Sequence, residues 1–330
     1  MSTPTGTGAS LRTSSGAKVA GFAAVVAIVF GGAWAAGAQL GPVGSNAAAD
    51  SSHSVMSGSR DPEEKQMNGM SETTTSNSAV LPGLAVAQAG YRLVLGDTVL
   101  HPGAQPISFT IEGPDGQPVT AFDVEHERQL HLIVVRRDHA GFQHLHPVLD
   151  EATGTWTAQA TLTPGAWRVF ADFTATGGPA LVLGSDLLVP GLLTAPDPGQ
   201  ETRTDVVDGY TVTVHGTLRP GEHSALTLTV TKDGAPVTDL QPYLGAYGHL
   251  VALREGDLAY LHVHPGGEPG DGETRSGPEI EFGAEVPSAG RYHLYLDFQH
   301  DDVVRTAHLV LDAASASSSH SSTRATEHHG

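Results

Sequence analysis

The sequence predicts an all-β fold, in which two tandem immunoglobulin-like β-sandwich domains follow one N-terminal transmembrane helix and a disordered stalk. The first observation is composition: the 330 residues include 40 glycines and 21 prolines, and only 16% are charged. This composition is typical of short strands joined by turns. The second observation is an internal repeat of about 100 residues, the usual size of an immunoglobulin-like domain. The chain length also fits two small cores better than one large core.

The chain begins with a polar segment and a long apolar run. Residues 1–18 contain two basic side chains, and residues 19–40 contain no charged side chain. A run of about 20 apolar residues is long enough to span a bilayer, and basic residues before it favour a cytoplasmic N-terminus. We therefore expect a cytoplasmic n-region and a single-pass anchor in the cell membrane, with the bulk of the chain extracytoplasmic. The alternative is a cleaved signal peptide ending near the Ala-Gly-Ala at residues 36–38, which would make the protein secreted.

Residues 41–88 are rich in small and polar residues without an apolar period, which predicts a disordered stalk. Except for the initiator, every methionine of the chain lies there, namely Met56, Met67 and Met70, with His53 nearby. Thioethers prefer soft ions such as Cu(I), so the stalk is either a weak metal-capture segment or a linker that contains methionine by chance.

Composition also excludes several classes of function. The 36 acidic and 17 basic residues give a net charge of −19, which is the wrong sign for binding nucleic acid. Cysteine is absent, so disulfides, thiolate copper centres, cysteine-ligated zinc and iron–sulfur clusters are excluded. A bound metal would need imidazole, carboxylate or thioether ligands, and the chain has 18 histidines.

The internal repeat predicts one domain at 89–190 and a second at 209–312. Each copy contains, in order, a Pro-Gly turn, an alternating strand and an Asp-Gly turn. The segment HLIVVRRDHAGFQHLHP follows in the first copy, and the matching segment HLVALREGDLAYLHVHP follows in the second. Alternating strands separated by such turns favour a sandwich. Residues 191–208 form the predicted linker, and the Ser/His-rich residues 313–330 form a predicted disordered tail.

Each repeat contains one histidine that is followed, 13 and 15 residues later, by the two histidines of a His-x-His-Pro motif. Side chains alternate along a strand, so the two histidines of His-x-His share a face. A two-residue turn would set the first histidine opposite the last, and all three imidazoles of a copy would then lie on one sheet face. The predicted metal ligands are therefore His131, His144 and His146 in the first copy and His249, His262 and His264 in the second.

Three imidazoles on adjacent strands suit Cu²⁺ or Zn²⁺. Asp172 and Asp297 occupy matching strands, and each is a candidate fourth ligand or a carboxylate that orients an imidazole. We expect a copper ion because the chain is exported, lacks cysteine and carries methionines in its stalk, and zinc is the alternative. The competing interpretation is that the histidines are hydrogen-bonded structural residues shared by descent.

Four other histidines differ between the repeats. His126 has no counterpart, because Leu244 occupies the equivalent position, and His139 is expected in a turn. His293 and His308 occur only in the second copy. The sequence therefore predicts a second site that is richer in histidine than the first.

The segment HLIVVRRDHAGFQHLHP, followed by AWRVFADF, resembles a domain of membrane-anchored or secreted actinobacterial proteins with an HLHP motif. These proteins are often labelled heavy-metal-binding or copper-resistance-like. The resemblance covers both repeats and is closer in the first, where Phe142 and Gln143 match; the second has Ala259 and Tyr260 near the corresponding place. It implies metal binding and names no reaction.

Together these observations predict a membrane-tethered, extracytoplasmic, non-enzymatic protein that binds copper in metal buffering, delivery or resistance. Its expected partners are the metal ion, the cytoplasmic membrane, and a metal transporter or another envelope protein. The alternative is a cell-surface immunoglobulin-like interaction module whose histidines are structural or sense pH. A metal-dependent hydrolase or oxidase is a weaker alternative, because no distinct general base stands in a fixed relation to both motifs.

Overall fold

The computed structural model describes residues 81–194, 200–261 and 263–314, and within these residues the chain forms strands, turns and loops without a helix. The all-β prediction is therefore confirmed for the described part of the chain. The first repeat contains β1 (Ala87–Gln88), β2 (Tyr91–Leu95), β3 (Gly103–Glu112), β4 (Leu130–Arg136), β5 (Gln143–Leu145), β6 (Val148–Asp150), β7 (Thr155–Leu162), β8 (Gly165–Thr174) and β9 (Ala180–Val189). The second contains β10 (Thr204–Val207), β11 (Tyr210–Gly216), β12 (His223–Lys232), β13 (Ala235–Pro236), β14 (His249–Arg254), β15 (Tyr260–Leu261), β16 (Val263–Pro265), β17 (Glu279–Glu285), β18 (Gly290–His300) and β19 (Val303–Ala313).

Each repeat is a sandwich of two antiparallel sheets. In the first repeat the sheet β1-β2-β3-β7-β6 packs on the sheet β5-β4-β8-β9. In the second, β10-β11-β12-β17-β16, with β13 beside β12, packs on β15-β14-β18-β19. Burial alternates along the outer strands, as in β7, where Trp156, Ala158 and Ala160 are buried and the residues between them are exposed. This period of two is the pattern of a strand with one face on a core and one face in water.

The inner strands are buried on both faces, because the two four-stranded sheets also pack against each other. Every residue of β4 is buried. Leu132 and Val134 lie in the core of the first repeat, whereas Ile133 and Val135 belong to a separate apolar cluster that includes Val251 of the second repeat. We call the contact between the β5-β4-β8-β9 and β15-β14-β18-β19 sheets the inter-repeat interface.

The segment before β1 lies along the inter-repeat interface and contacts both repeats. The carbonyl of Gly83 accepts hydrogen bonds from Arg168 Nη2 at 2.6 Å and Nε at 3.1 Å, and the carbonyl of Pro82 accepts one from the Tyr260 amide at 3.0 Å. Gly83 has φ of +76°, and a Cβ there would lie 2.7 Å from the Phe170 ring. The end of the predicted stalk region is thus structured from residue 81 and contributes to the interface.

Several predictions concern residues outside this description. The predicted cytoplasmic segment, the membrane anchor at 19–40, the stalk up to residue 80, the tail from residue 315 and His262 all lie outside the described residues. Among the residues that are described, no helix has the length and apolar character needed to cross a membrane.

Candidate metal centre

The centre lies in the inter-repeat interface because strand alternation directs histidines of both repeats towards it. In β4, His131 has the same parity as Ile133 and faces the second repeat. In β14, His249 has the same parity as Val251 and faces the first repeat. The rings of His131 and His249 stack across the interface, with centroids 5.5 Å apart and planes 11° from parallel. One histidine from each repeat therefore meets at the same place.

His144 is the third member of the cluster and reaches it through the β4–β5 hairpin. The ladder pairs Ile133 with His144 and Leu132 with Leu145, which is the register predicted from a two-residue turn. The Nε2 atom of His144 lies 3.0 Å from Nδ1 of His131, and its ring centroid lies 4.8 Å from that of His249. Nitrogen atoms of His131, His144 and His249 lie within 4.8 Å of one another, which makes these three residues a candidate group for holding one metal ion.

Asp297 orients His144 from the second repeat. Its Oδ2 atom lies 2.7 Å from Nδ1 of His144, and both side chains are nearly fully buried. Its Oδ1 atom accepts a hydrogen bond from the Thr306 hydroxyl at 2.5 Å. Asp297 pairs with His249 across β18 and β14, so its own strand neighbour belongs to the cluster as well. A carboxylate that holds the far nitrogen of a metal-ligating histidine is the usual arrangement in protein metal sites.

The hydrogen bonds of His131 and His144 set where their protons lie. Nε2 of His131 lies 3.2 Å from the Glu125 carbonyl, which can only accept, so this nitrogen carries the proton. Nδ1 of His144 faces a carboxylate and carries its proton for the same reason. Nδ1 of His131 and Nε2 of His144 face each other at 3.0 Å, and when His144 is neutral both nitrogens offer lone pairs that a cation could bind.

Burial favours the neutral forms of His131 and His249, which are the forms that metal binding requires. Loss of solvent, together with the neighbouring His144, lowers the pKa of His131 from 6.5 to about 3. Burial and the same neighbour also lower the pKa of His249 well below its usual value. A neutral imidazole has a free lone pair, so neither side chain would need to lose a proton at neutral pH before it could serve as a metal ligand.

Two further histidines surround the cluster. The ring of His146 lies 5.0 Å from His144 and 5.3 Å from His131, and its Nε2 atom is buried without a hydrogen-bond partner. Burial lowers the pKa of His146 to about 4. The ring of His126 lies 6.1 Å from His131 and 5.7 Å from His249. Comparison of the repeats does not identify His126 as a site residue, because it has no counterpart in the second repeat. The one sequence signal for it is its closeness along the chain to His131.

Asp172 occupies the position in the first repeat that Asp297 occupies in the second. It pairs with His131 across β8 and β4, and the Tyr260 hydroxyl donates a hydrogen bond to it. Burial, together with the nearby Glu125, raises the pKa of Asp172 from 3.8 to about 6. Asp172 therefore bonds a tyrosine of the other repeat, whereas Asp297 bonds a histidine of the other repeat.

The structure does not bring His264 to the centre. His264 lies in β16, in the opposite sheet of the second repeat, where it is exposed and pairs with Gly283. The reason is the point at which the chain changes sheets: after Leu261 the next strand begins at Val263, two residues on. The predicted second three-histidine group is thus separated at His264, and His249 joins the histidines of the first repeat.

A cavity of about 210 Å³ opens beside the cluster. Polar side chains of His126, His131, His249, Glu125 and Asp172 line part of it, and other polar and apolar residues of both repeats line the rest. The cavity leaves room next to the histidines for a water molecule or a small ligand on a bound ion.

The chain matches the family described as "Domain of unknown function (DUF8832)" over residues 85–182 and 205–315. No curated protein matches it. Among solved structures, a Salmonella alpha-2-macroglobulin mutant is similar at 14% identity over 72% of this chain and 15% of that chain, with a TM-score of 0.23. InvD of Yersinia pseudotuberculosis is similar at 13% identity over 70% and 59% of the two chains, with a TM-score of 0.22. The D0-D1 domain of Intimin is similar at 13% identity over 66% and 96%, with a TM-score of 0.18.

This chain therefore spans less than two thirds of the length of the first two structures, and likenesses this remote say nothing about its chemistry. The two family matches cover one repeat each and together more than half of the residues. The chain belongs to the DUF8832 family.

Proposed function

We propose that the protein is a non-enzymatic metal-binding protein whose two repeats hold one transition-metal ion, copper in preference to zinc, between them. The observation that carries this proposal is the pair of facing nitrogens of His131 and His144 at 3.0 Å, with His249 completing a three-nitrogen set. The Glu125 carbonyl and the Asp297 carboxylate accept hydrogen bonds from the far nitrogens of these two rings, so the nitrogens that remain point at each other.

The preference for copper rests on the chain as a whole. The chain has no cysteine, and the clustered imidazoles would suit Cu²⁺ as well as Zn²⁺. The methionine-bearing stalk of the sequence supports the same choice, since thioethers bind Cu(I).

The cellular role that we propose is buffering, delivery or resistance at the outer face of the cell membrane. The apolar run at residues 19–40 supports a membrane tether, and a metal transporter or another envelope protein would be the partner in transfer. Immunoglobulin-like topology of the two sandwiches belongs to this proposal as well and is supported by their size and strand pattern.

The proposal is tested by titrating the full-length chain, purified with detergent and stripped of metal, with Cu²⁺ and separately with Zn²⁺. The His131→Ala/His144→Ala variant should lose the tightest equivalent of Cu²⁺. The matched control is His101→Ala/His215→Ala, which removes two exposed histidines away from the centre and should bind as the parent does. Equal affinity of the first variant and the parent would show that the cluster holds no ion.

A further inference from the structure

A second group of histidines lies at the other end of the inter-repeat interface. We call it the distal cluster, and it consists of His139, His293 and His308. His139 lies in the turn that follows β4, whereas His293 lies in β18 and His308 in β19. The interface thus has histidines at both ends, and Ile133, Val251 and Tyr295 separate them. The distal cluster joins the two repeats, as the first centre does.

The three rings of the distal cluster are in direct contact. His139 and His293 stack with centroids 3.5 Å apart and planes 7° from parallel. Nδ1 of His293 lies 2.9 Å from Nε2 of His308. The Tyr295 ring stacks on His308 at 4.5 Å, and its hydroxyl donates a hydrogen bond to the His139 carbonyl at 2.9 Å. Packing therefore fixes the rings within reach of one another.

Three nitrogens of this cluster are buried without a hydrogen-bond partner among the residues that the structure describes. They are both ring nitrogens of His139, which is only 6% exposed, and Nε2 of His293. Each neutral imidazole carries one lone pair and one N–H group. The hydrogen-bond contact between His293 and His308 does not involve His139. The lone pair of His139 therefore has no donor among the described residues, and its N–H group has no acceptor. Buried polar atoms of this kind are rare in folded proteins and indicate a missing partner.

The electrostatic surroundings of the distal cluster differ from those of the first centre. Asp205 accepts a hydrogen bond from the His308 backbone amide at 2.8 Å, and Asp138 accepts one from Arg136 at 2.8 Å. In the described structure no hydrogen bond joins a carboxylate to a ring of the cluster, whereas Asp297 bonds His144 directly. Burial lowers the pKa of His139 to about 4 and that of His293 to about 3, so both are neutral. Burying a singly charged ion among uncharged nitrogens costs less desolvation free energy than burying a doubly charged ion, so this environment favours a monovalent cation.

We propose that the distal cluster is a second metal site, which binds Cu(I) through imidazole nitrogens of His293, His308 and His139. The facing nitrogens of His293 and His308 form the binding pair, and His139 completes the set when its ring turns off the stack. The argument is independent of the first centre, because it rests on other residues: the facing nitrogens of His293 and His308, and the two His139 nitrogens that have no hydrogen-bond partner among the described residues.

The test is a Cu(I) titration of the full-length chain under ascorbate, in competition with a colorimetric Cu(I) chelator. The His139→Phe/His293→Phe variant keeps two stacked aromatic rings and removes four nitrogens, so it should fold and should bind one equivalent of Cu(I) less than the parent. His308→Ala is the second variant, at a half-buried position, and should lose the same equivalent. The control His101→Phe/His215→Phe should retain it.

The first centre is tested separately with His131→Phe/His249→Phe, which should lose Cu²⁺ and keep the distal Cu(I) equivalent. If the folded His139→Phe/His293→Phe and His308→Ala variants bind as much Cu(I) as the parent, the distal cluster is only a stacking contact and the inference is wrong. The inference is supported if either folded variant loses the Cu(I) equivalent while the His131→Phe/His249→Phe variant keeps it. This holds whether or not the latter variant loses Cu²⁺.

Discussion

The two repeats carry the same histidine spacing and use it differently. In the first repeat His131, His144 and His146 come together at the interface. In the second, His249 reaches the same place, and His264 lies exposed in the opposite sheet. The chain changes sheets between Leu145 and Val148 in the first repeat and between Leu261 and Val263 in the second. Equal spacing along the chain therefore does not give equal sites, because the position of the crossing decides which face the last histidine occupies.

The matched carboxylates show a second difference between the repeats. Asp172 stands opposite His131, and Asp297 stands opposite His249, so their strand positions correspond. Asp297 bonds His144 of the first repeat, while Asp172 bonds the tyrosine of the second repeat. The duplication has thus produced two unequal halves of one centre: the first repeat supplies most of the imidazoles, and the second supplies one imidazole and the orienting carboxylate.

The largest effect that separates the repeats is expected from His249→Ala against His264→Ala. The first change removes a nitrogen of the three-histidine cluster, although it lies in the second repeat, and should weaken Cu²⁺ binding by more than the roughly 10–100-fold expected for loss of an outer partner. The second change alters an exposed side chain in the opposite sheet and should leave affinity unchanged. Competition titration measures both. A large loss of Cu²⁺ affinity in His264→Ala with no loss in His249→Ala would contradict the shared cluster and would indicate a separate site in each repeat.

The next effect compares the carboxylates through Asp297→Asn and Asp172→Asn. The amide at 297 cannot accept a charged hydrogen bond from His144, so metal affinity should fall roughly 10–100-fold. Asp172→Asn leaves the contacts of all three clustered histidines in place, and its affinity should change by less than about threefold. Isothermal titration with Cu²⁺ distinguishes the two. Equal losses in both variants would mean that Asp172 contacts the ion as Asp297 contacts His144.

The pH dependence of stability should come mainly from the buried histidines. The folded-state pKa is about 3 for His131 and about 4 for His139 and His146, against 6.5 for a solvated histidine. Between these values the unfolded chain binds more protons, so the free energy of unfolding of the metal-free protein should fall as pH drops from about 6.5 towards 3. Asp172, whose pKa is raised from 3.8 to about 6, should increase the free energy of unfolding as pH drops through that range. It is a single group, so the effect of the several histidines should dominate.

Chemical denaturation at a series of pH values measures this slope. His131→Phe should flatten it, because the buried imidazole is gone, and His264→Phe should not, because that side chain is exposed. A slope that both variants share with the parent would place the titrating groups elsewhere. The comparison therefore tests whether the interface, rather than histidine content, sets the acid sensitivity.

Much of each sandwich follows from local sequence signals. Alternation in segments such as β3, together with the tight turns, predicts the strands, and a two-residue turn predicts the hairpin register that pairs Ile133 with His144. The contact between the repeats did not follow, because alternation within one domain specifies which face is apolar and not what covers it. The signal that was available is the run of apolar residues from Leu132 to Val135, which reads as a strand buried on both faces.

The same limit explains the candidate site. Histidine spacing predicts that His131, His144 and His249 are metal ligands. It places them in two separate groups only under the assumption that each repeat forms its own site. His126 and the Asp297–His144 bond arise from docking of the repeats, which no pattern inside one copy encodes. His264 departs because the second crossing between sheets comes earlier, and a shift of this kind at a short strand leaves little trace in the sequence.

The smallest effect is expected at the residue that replaces Phe142 in the second repeat. Tyr260→Phe removes the donor of the half-buried Asp172 and should lower the free energy of unfolding by about 1–3 kcal/mol, because an acceptor that is largely shielded from water loses its partner. The control is Tyr295→Phe, which removes a hydroxyl that bonds a neutral carbonyl and should cost about 0.5–1.5 kcal/mol. Without the tyrosine hydrogen bond the pKa of Asp172 should rise above about 6, so the loss should shrink where that carboxyl is protonated. Urea denaturation at pH 5 and pH 8 separates the two variants, and an equal, pH-independent loss in both would mean that Asp172 is not held by Tyr260.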